Sequence, residues 1–168
     1  MKHPVKLSKR LEAIAAFIEN GASVADIGTD HGFLPAYLAQ SGLARRIVAS
    51  DASAGSLGAA RRTAERYGVT DMVEFVTAPG LSGVSENEAD TVVIAGMGGE
   101  TIVSILEEAS WKKMGIRFIL QPQTKMAVLC DFLQGNGYAI SDMKTIVDRG
   151  REYTIILCVS VCQTEPSP

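Results

Sequence analysis

The chain has 168 residues, a formal net charge of −3 at pH 7 and a hydrophobic fraction of 46%. This length allows one domain with a sizeable core, and its apolar runs fall well short of the roughly 18 residues of a transmembrane helix. No signal peptide is visible at the N-terminus. The net negative charge argues against a protein that binds nucleic acid mainly through a strongly positive surface.

The three cysteines, Cys130, Cys158 and Cys162, contain no C-x-x-C pair. The two late ones fall in an apolar predicted strand, so we interpret them as buried free thiols and not as metal ligands. No second histidine lies near His31 in the sequence, and no metal site is predicted. These features indicate a cytoplasmic protein.

Apolar residues at helical spacing predict a first amphipathic helix over residues 7–20. Lys6, Lys9 and Arg10 crowd its first turn, where cations oppose the helix dipole. The cluster is either a tolerated surface feature or a contact for an anionic partner.

The segment 24–32 reads as a buried strand that runs into a glycine-containing turn and then a helix. Its glycine pattern is Asp26-x-Gly28-x-Asp30-x-Gly32 and not G-x-G-x-x-G. A carboxylate at the middle glycine position repels a pyrophosphate, but it does not repel a cationic, phosphate-free nucleoside. S-adenosylmethionine is such a ligand, so the turn predicts methyl transfer.

A second strand is predicted over residues 46–51, after a helix that begins near Leu34 and stops at Gly42. Asp51 ends this strand, and an acidic residue about 20 positions past the glycine turn can bind both ribose hydroxyls. The alternative for Asp51 is the N-cap of the next helix.

Residues 72–78 predict a third strand, which is followed by Pro79. The continuous apolar run 90–95 is typical of a central parallel strand. It leads into residues 96–99, where three glycines let backbone and ligand approach closely. A fifth strand over residues 117–120 completes the parallel set.

Five β/α alternations and a terminal hairpin, residues 138–146 and 153–161, predict an α/β fold with a doubly wound, mostly parallel seven-stranded sheet. We assign residues 1–162 to this single domain and 163–168 to a disordered tail. The strand ends are expected to meet in one crevice that contains Asp26, Gly28, Asp30, Asp51, Pro79, Gly96 and Gln121.

Residues 25–31 with Leu34-Pro35, 94–99 and 119–123 resemble motifs of a known family. It is the family of bacterial tRNA (adenine-N1)-methyltransferases that act on nucleotide 22 of tRNA, called TrmK-like, and the resemblance covers roughly residues 7–160. It implies a class I S-adenosylmethionine methyltransferase fold (Rossmann-like), S-adenosylmethionine as cofactor and tRNA as partner.

The resemblance also implies site residues. The cofactor contacts are assigned to Asp26, Gly28, Thr29, His31, Asp51, Ala52, Ala78, Pro79, Ala95, Gly96 and Met97. Gly98, Gly99, Gln121 and Gln123 are assigned to the substrate, and Asp30 is placed beside the transferred methyl and the target base.

The sequence departs from this family at four points. Ala78-Pro79 stand where the family has Gly-Asp, whose acid contacts the cofactor adenine. Cys130 replaces an expected arginine, and Tyr153-Thr154 replace an expected Tyr-Glu pair. The sequence also ends without the family's C-terminal helical extension, which is expected to help hold tRNA.

Adenine N1 has a free lone pair once the base is unpaired, so its methylation needs no strong base. The methylated base is cationic, and a nearby carboxylate stabilises the charge as it develops. We assign this role to Asp30, whose alternative is the N-cap of the following helix. His31 either binds cofactor or substrate or packs beside the turn. Phe33 either stacks on a flipped base or packs in the core.

Other functions stay open at this point. One is a methyltransferase for a small molecule, which the acidic charge favours. Another is a non-catalytic binding module that has lost cofactor affinity, which Pro79 and Cys130 suggest. A nicotinamide oxidoreductase is disfavoured by Asp30 at the middle glycine position.

Overall fold

The computed structural model describes residues 3–162 and contains one mixed sheet. Its strands are β1 (Ala22–Ile27), β2 (Ala44–Asp51), β3 (Glu74–Thr77), β4 (Thr91–Gly98), β5 (Arg117–Thr124), β6 (Tyr138–Asp148) and β7 (Arg151–Ser160). Their spatial order is β3-β2-β1-β4-β5-β7-β6. The first five pair in parallel, whereas β7 runs antiparallel to both β5 and β6. The predicted doubly wound, mostly parallel seven-stranded sheet is confirmed.

Five helices cover the two faces of the sheet, and a 3-10 turn (Thr70–Met72) precedes β3. Residues of the first three helices pack in one core cluster, and residues of the last two pack in the other. The central strand β1 is buried on both faces, as its continuous apolar run predicts, whereas the edge strand β3 is only partly buried. The helices are α1 (Lys9–Ala15), α2 (Phe33–Ser41), α3 (Ala54–Tyr67), α4 (Gly99–Ala109) and α5 (Met126–Gly135).

The first helix is shorter than the predicted 7–20. It begins at Lys9 because the Ser8 hydroxyl accepts a hydrogen bond from the Leu11 N–H (3.2 Å) and caps the helix. After Ala15 the chain tightens into three-residue turns, in which the N–H of Phe17 bonds to the carbonyl of Ile14 (3.1 Å). The end of the next helix is as predicted, since Gly42 adopts a left-handed conformation there.

The cysteines lie in different environments. Cys158 is fully buried on β7, and burial raises the pKa of its thiol to about 12. Cys130 is half-buried on α5, and burial also raises the pKa of its thiol. Cys162 is exposed, so the prediction of a second buried thiol is wrong there, because β7 ends at Ser160. Among residues 3–162 no helix combines the length and the apolarity that a membrane crossing requires.

Candidate active site

A cleft of about 500 Å³ opens at the carboxyl ends of β1, β2 and β4. The order in which strands are added to the sheet reverses here: β2 and β3 lie on one side of β1, and β4 lies on the other. Ligands of open α/β sheets bind at such a switch point. Five of the seven residues predicted to meet in one crevice line this cleft, whereas Pro79 and Gln121 do not. Its lining includes Asp26, Gly28, Thr29, Asp30, His31, Asp51, Ala95, Gly96, Met97 and Gln123.

The turn between β1 and α2 is hydrogen-bonded to the end of the neighbouring strand β2. The N–H groups of Gly28 and Thr29 both donate to the carbonyl of Ser50, at 2.8 and 3.0 Å. Gly28 has φ of 70°, and a Cβ atom there would collide with the Met97 side chain. Glycine is favoured at this position mainly by its positive φ, because the Met97 methyl is the end of a flexible side chain that can move aside.

Asp26 is a buried carboxylate at the end of β1 and is 6% exposed. The Thr29 hydroxyl donates to one of its oxygens at 2.9 Å. Burial raises the pKa of Asp26 from 3.8 to about 6, while the Thr29 hydrogen bond and the charge of Arg10 act in the opposite direction. The group is therefore mostly ionised at neutral pH but takes up a proton near pH 6, and a cation placed beside it would favour its charged form.

Asp51 joins two loops at the end of β2. One carboxylate oxygen accepts from the Asp30 N–H at 3.1 Å, and the other accepts from the Ser53 N–H at 2.9 Å. The N-cap of α3 is Ser53, whose hydroxyl accepts from the Ser56 N–H (3.2 Å). The N-cap alternative for Asp51 is therefore wrong, and its half-buried carboxylate faces the cleft.

Polar and aromatic side chains surround the mouth of the cleft. Asp30 has a left-handed backbone (φ 54°) and a side chain that is 72% exposed, 3.9 Å from the His31 ring nitrogen Nε2. The His31 and Phe33 rings lie 6.4 Å apart, and Phe33 is 36% exposed. Core packing is therefore wrong for Phe33. The N-cap of α2 is Gly32, so the N-cap alternative for Asp30 is wrong as well.

Arg10 lines the cleft, although sequence reasoning did not assign it to the site. Its Nη1 donates to the side-chain oxygen of Gln121 at 3.0 Å, and the same oxygen accepts from the Gly96 N–H at 3.1 Å. Gln121 is fully buried and holds Arg10 and the end of β4 in place; its assignment to the substrate stays a prediction. The signal in the sequence was the cation cluster in the first turn of α1.

The glycines that start α4 also have a packing role. Gly99 is buried, and a Cβ atom there would lie 2.8 Å from the carbonyl oxygen of Thr124. A Cβ at Gly98 would meet the Thr124 hydroxyl at 3.0 Å. Both glycines lie outside the cleft lining and let α4 pack against the end of β5, and their assignment to the substrate stays a prediction.

The end of β3 lies beside Asp51 but does not line the cleft. The Ala78 N–H already donates to the Asp51 carbonyl (3.1 Å), and the Pro79 carbonyl accepts from the Ser82 hydroxyl (2.7 Å). Proline has no N–H group. Ala78-Pro79 therefore offer no side-chain acceptor and no free N–H group to an adenine, only carbonyl oxygens and apolar contact, and Ala52, which follows Asp51, is exposed outside the cleft. No group of three potential metal ligands occurs among residues 3–162.

Comparison with known proteins gives a consistent result. A methyltransferase domain model matches residues 7–156. The tRNA (adenine(22)-N(1))-methyltransferase of Bacillus subtilis (strain 168) is 36% identical over 154 residues, which are 91% of this chain and 65% of that enzyme. The chain thus spans slightly less than two thirds of that relative.

Solved structures of similar proteins superpose closely. The B. subtilis m1A22 tRNA methyltransferase TrmK matches with a TM-score of 0.88 and 34% identity over 93% of this chain and 67% of that one. M. capricolum TrmK in complex with S-adenosylhomocysteine matches with a TM-score of 0.82 and 30% identity over 95% and 72%. The fold is the Rossmann-like fold of S-adenosylmethionine-dependent methyltransferases. The chain belongs to the TrmK family of tRNA (adenine(22)-N1)-methyltransferases within that class.

Proposed function

We propose that this chain is an S-adenosylmethionine-dependent methyltransferase that methylates N1 of an adenine in tRNA. The observation that carries the proposal is the arrangement of Asp26, Gly28 and Asp51 around one cleft at the switch point of the sheet. The B. subtilis relative with this fold is a tRNA methyltransferase that acts at adenine 22. A cytoplasmic location follows from the proposed substrate.

The residues of the cleft fit the proposed cofactor. Asp51 offers carboxylate oxygens for the two ribose hydroxyls, and Gly28 leaves bare backbone between the two acids. Asp26 lies one strand away from Asp51 in the sheet and supplies negative charge for a cationic ligand. A volume of about 500 Å³ is in the usual range for a small-molecule site. The cofactor supplies a methyl group on a sulfonium sulfur.

The mouth of the cleft suits a purine base. The exposed rings of Phe33 and His31 line it, and Asp30 presents an exposed carboxylate beside them. An unpaired adenine offers the N1 lone pair directly, so the protein has to position the base and exclude water. Once N1 gains the methyl group the base is cationic, and the Asp30 carboxylate stabilises that charge.

The first test is calorimetric titration with S-adenosylhomocysteine on the wild type and on Asp51→Ala. We expect micromolar binding that weakens about 10- to 100-fold in the variant, because hydrogen bonds to a charged group are lost. Asp131→Ala, an exposed carboxylate on α5, is the matched control and should bind like the wild type. If folded wild-type protein does not bind, the chain is the binding module that has lost cofactor affinity.

The substrate is tested separately. Transfer of labelled methyl to a tRNA transcript with adenine at position 22 should be lost when that adenine is replaced by guanine. Binding of S-adenosylhomocysteine without methylation of tRNA would contradict the tRNA part of the proposal. Labelling of a metabolite extract would then favour the small-molecule methyltransferase.

A further inference from the structure

We propose that the tip of the β6–β7 hairpin and the first turn of α1 form a surface that binds the phosphate backbone of RNA beside the cleft. The surface consists of Arg149, Arg151 and Lys9. The inference rests on the proposed function, because it takes the substrate to be an RNA whose target base enters the cleft. It adds a contact to the RNA outside the cleft, made by residues of neither the glycine turn nor the parallel strand ends.

The β6–β7 hairpin extends past the sheet next to the cleft. Strand β7 pairs with β5 as far as the pair of Ile156 with Leu120, whereas it stays paired with β6 as far as the pair of Arg151 with Asp148. The two-stranded part, residues 144–155, is called the ribbon here. At about 3.3 Å per residue it reaches about 17 Å past the last β5–β7 pair. Because β7 runs antiparallel to β5, the ribbon points to the edge of the sheet at which the cleft opens.

Helix α1 holds the ribbon in place. The Arg10 N–H donates to the Asp148 carboxylate at 3.4 Å, and the Arg10 guanidinium carbon lies 5.9 Å from the centre of the Tyr153 ring. Ile146 of β6 packs against the core cluster that contains Ile14 of α1. Arg10 also lines the cleft. The ribbon is therefore a fixed part of the protein beside the mouth of the cleft.

The three cations of this surface have no partner of opposite sign. Lys9, Arg149 and Arg151 are exposed, and no carboxylate among residues 3–162 lies within 4 Å of their charged groups. The Asp148 carboxylate, across the hairpin from Arg151, accepts from the first turn of α1 instead. Side chains alternate along a strand, so Glu152 lies on the opposite face of the ribbon from Arg151. The surface is thus locally positive in a chain with a net charge of −3.

The turn at the tip of the ribbon does not favour an arginine. Arg149 and Gly150 form a two-residue loop in which both residues have positive φ, at 50° and 76°. Such hairpin turns prefer Asn or Asp before the glycine. A long side chain is strained in the left-handed conformation, because its Cβ lies too close to a carbonyl oxygen. The stability of the turn therefore does not explain Arg149, whereas contact with an anion at the tip does.

The distribution of charge matches an RNA that inserts one base. Asp26, Asp30 and Asp51 line the cleft, and their negative charges repel a phosphate there. The backbone of the substrate therefore has to stay outside while the base enters. Guanidinium groups bind phosphates with two parallel hydrogen bonds, and the ribbon presents two of them next to the cleft. This arrangement favours RNA backbone as the ligand of the surface.

The test measures binding of tRNA by fluorescence anisotropy, in the presence of saturating S-adenosylhomocysteine. We expect the double variant Arg149→Asn/Arg151→Gln to bind a transcript with adenine at position 22 about 10-fold more weakly, with a salt dependence (log K against log[salt]) that is shallower by about 1 to 2. Asparagine suits the turn at position 149, so the hairpin is kept. The affinity for S-adenosylhomocysteine should change by less than about threefold.

Two comparisons identify the backbone as the ligand. A transcript with guanine at position 22 should lose affinity by the same factor in the double variant, because phosphate contacts do not depend on the base. Lys9→Gln should weaken binding of both transcripts about threefold. The matched control is Lys112→Gln/Lys113→Gln, an exposed pair that precedes β5 at the opposite edge of the sheet, and its affinity should change by less than about twofold.

Every other outcome overturns the proposed surface. Unchanged tRNA affinity in the double variant means that the cations serve another anionic partner or only solvent. A loss confined to the adenine transcript means that the ribbon contacts the base, and an equal loss in the control pair means that any cation on the protein has the same effect. A parallel loss of affinity for S-adenosylhomocysteine means that the ribbon only shapes the cleft. If the wild type binds S-adenosylhomocysteine but not tRNA, the tRNA part of the proposed function has failed, which is distinguishable from a failure of the surface alone.

Discussion

The three carboxylates of the cleft differ in their surroundings, and their expected roles differ with them. Asp26 is buried and accepts from a hydroxyl, Asp51 is half-buried and accepts from two backbone N–H groups, and Asp30 extends into solvent. Burial disfavours a charge and exposure preserves it. Each carboxylate can therefore be tested with a different observable.

Asp30→Asn should lower kcat for tRNA methylation about 10- to 100-fold, because it removes the charge that stabilises the cationic product. Asparagine tolerates the left-handed backbone of this position, so the turn is kept. We expect the affinity for S-adenosylhomocysteine to change by less than about threefold. Steady-state kinetics with Glu107→Gln as an exposed control would measure this, and an unchanged kcat in Asp30→Asn contradicts the assigned role.

The raised pKa of Asp26 predicts that the free energy of unfolding depends on pH. Its pKa of about 6 in the folded protein lies above the ordinary 3.8, so the folded state binds the proton more tightly than the unfolded state. This contribution to stability is fully present below about pH 4 and is lost as the pH rises through about 6, with a total of about 3 kcal/mol.

Asp26→Asn removes this dependence. We expect the variant to gain about 1 to 1.5 kcal/mol of stability relative to the wild type as the pH rises from about 5 to about 8, because about half of the total is already lost below about pH 5. Urea unfolding of the ligand-free proteins at both pH values measures the difference, with Asp131→Asn as control. A constant difference between the two pH values would show that Asp26 is not the group that titrates.

At the scale of elements, glycines decide how the helices approach the sheet and each other. Gly32 has φ of 70° at the start of α2, and a Cβ there would lie 2.7 Å from the Cβ and 2.9 Å from the Cα of Ala60 on α3. The close contact between α2 and α3 therefore depends on it. Gly42 has a similar φ of 68° at the other end of α2, but no atom lies within 4 Å of its Cβ position.

These two glycines form a matched pair for mutation. Gly42→Ala should cost only backbone strain, about 1 to 2 kcal/mol. Gly32→Ala should cost about 2 to 5 kcal/mol, because overpacking against Ala60 is added to the strain. Urea unfolding of both variants gives the comparison, and equal losses would mean that α2 and α3 separate without cost.

The limits of sequence reasoning are also visible at this scale. The glycines at 98 and 99 follow a buried strand, and that pattern alone does not distinguish ligand approach from helix packing. Contact with Thr124 of β5 makes the difference, and it depends on register between distant segments. The end of α1 depends on local turn geometry, which helical spacing of apolar residues does not report.

At the scale of the whole molecule, ligand binding should stabilise both cores together, because the cleft lies at the edge of the sheet that separates them. At a ligand concentration of about 100 Kd the gain is about 2.7 kcal/mol, which raises Tm by about 5 to 10 °C. Calorimetric scans with S-adenosylhomocysteine should show one transition that moves as a unit. A second transition that stays in place would mean that part of the sheet unfolds independently.

The overall architecture was predictable because each parallel strand is an apolar run and each turn carries glycine or acid. The acids at 26, 30 and 51 were found for the same reason. The contact between Arg10 and Gln121 was not predicted, since it is a hydrogen bond between residues 111 positions apart. Local patterns contain no information about such a contact.

That same separation has a consequence during synthesis. Arg10 leaves the ribosome early, whereas Gln121, which holds it against the cleft, is added 111 residues later. At about 5 to 20 residues per second this interval lasts about 6 to 22 seconds. A nascent chain that ends before Gln121 contains the glycine turn and its acids, but it lacks the residue that positions Arg10 at the cleft. We therefore expect the growing protein to bind its ligand only when the sheet is nearly complete.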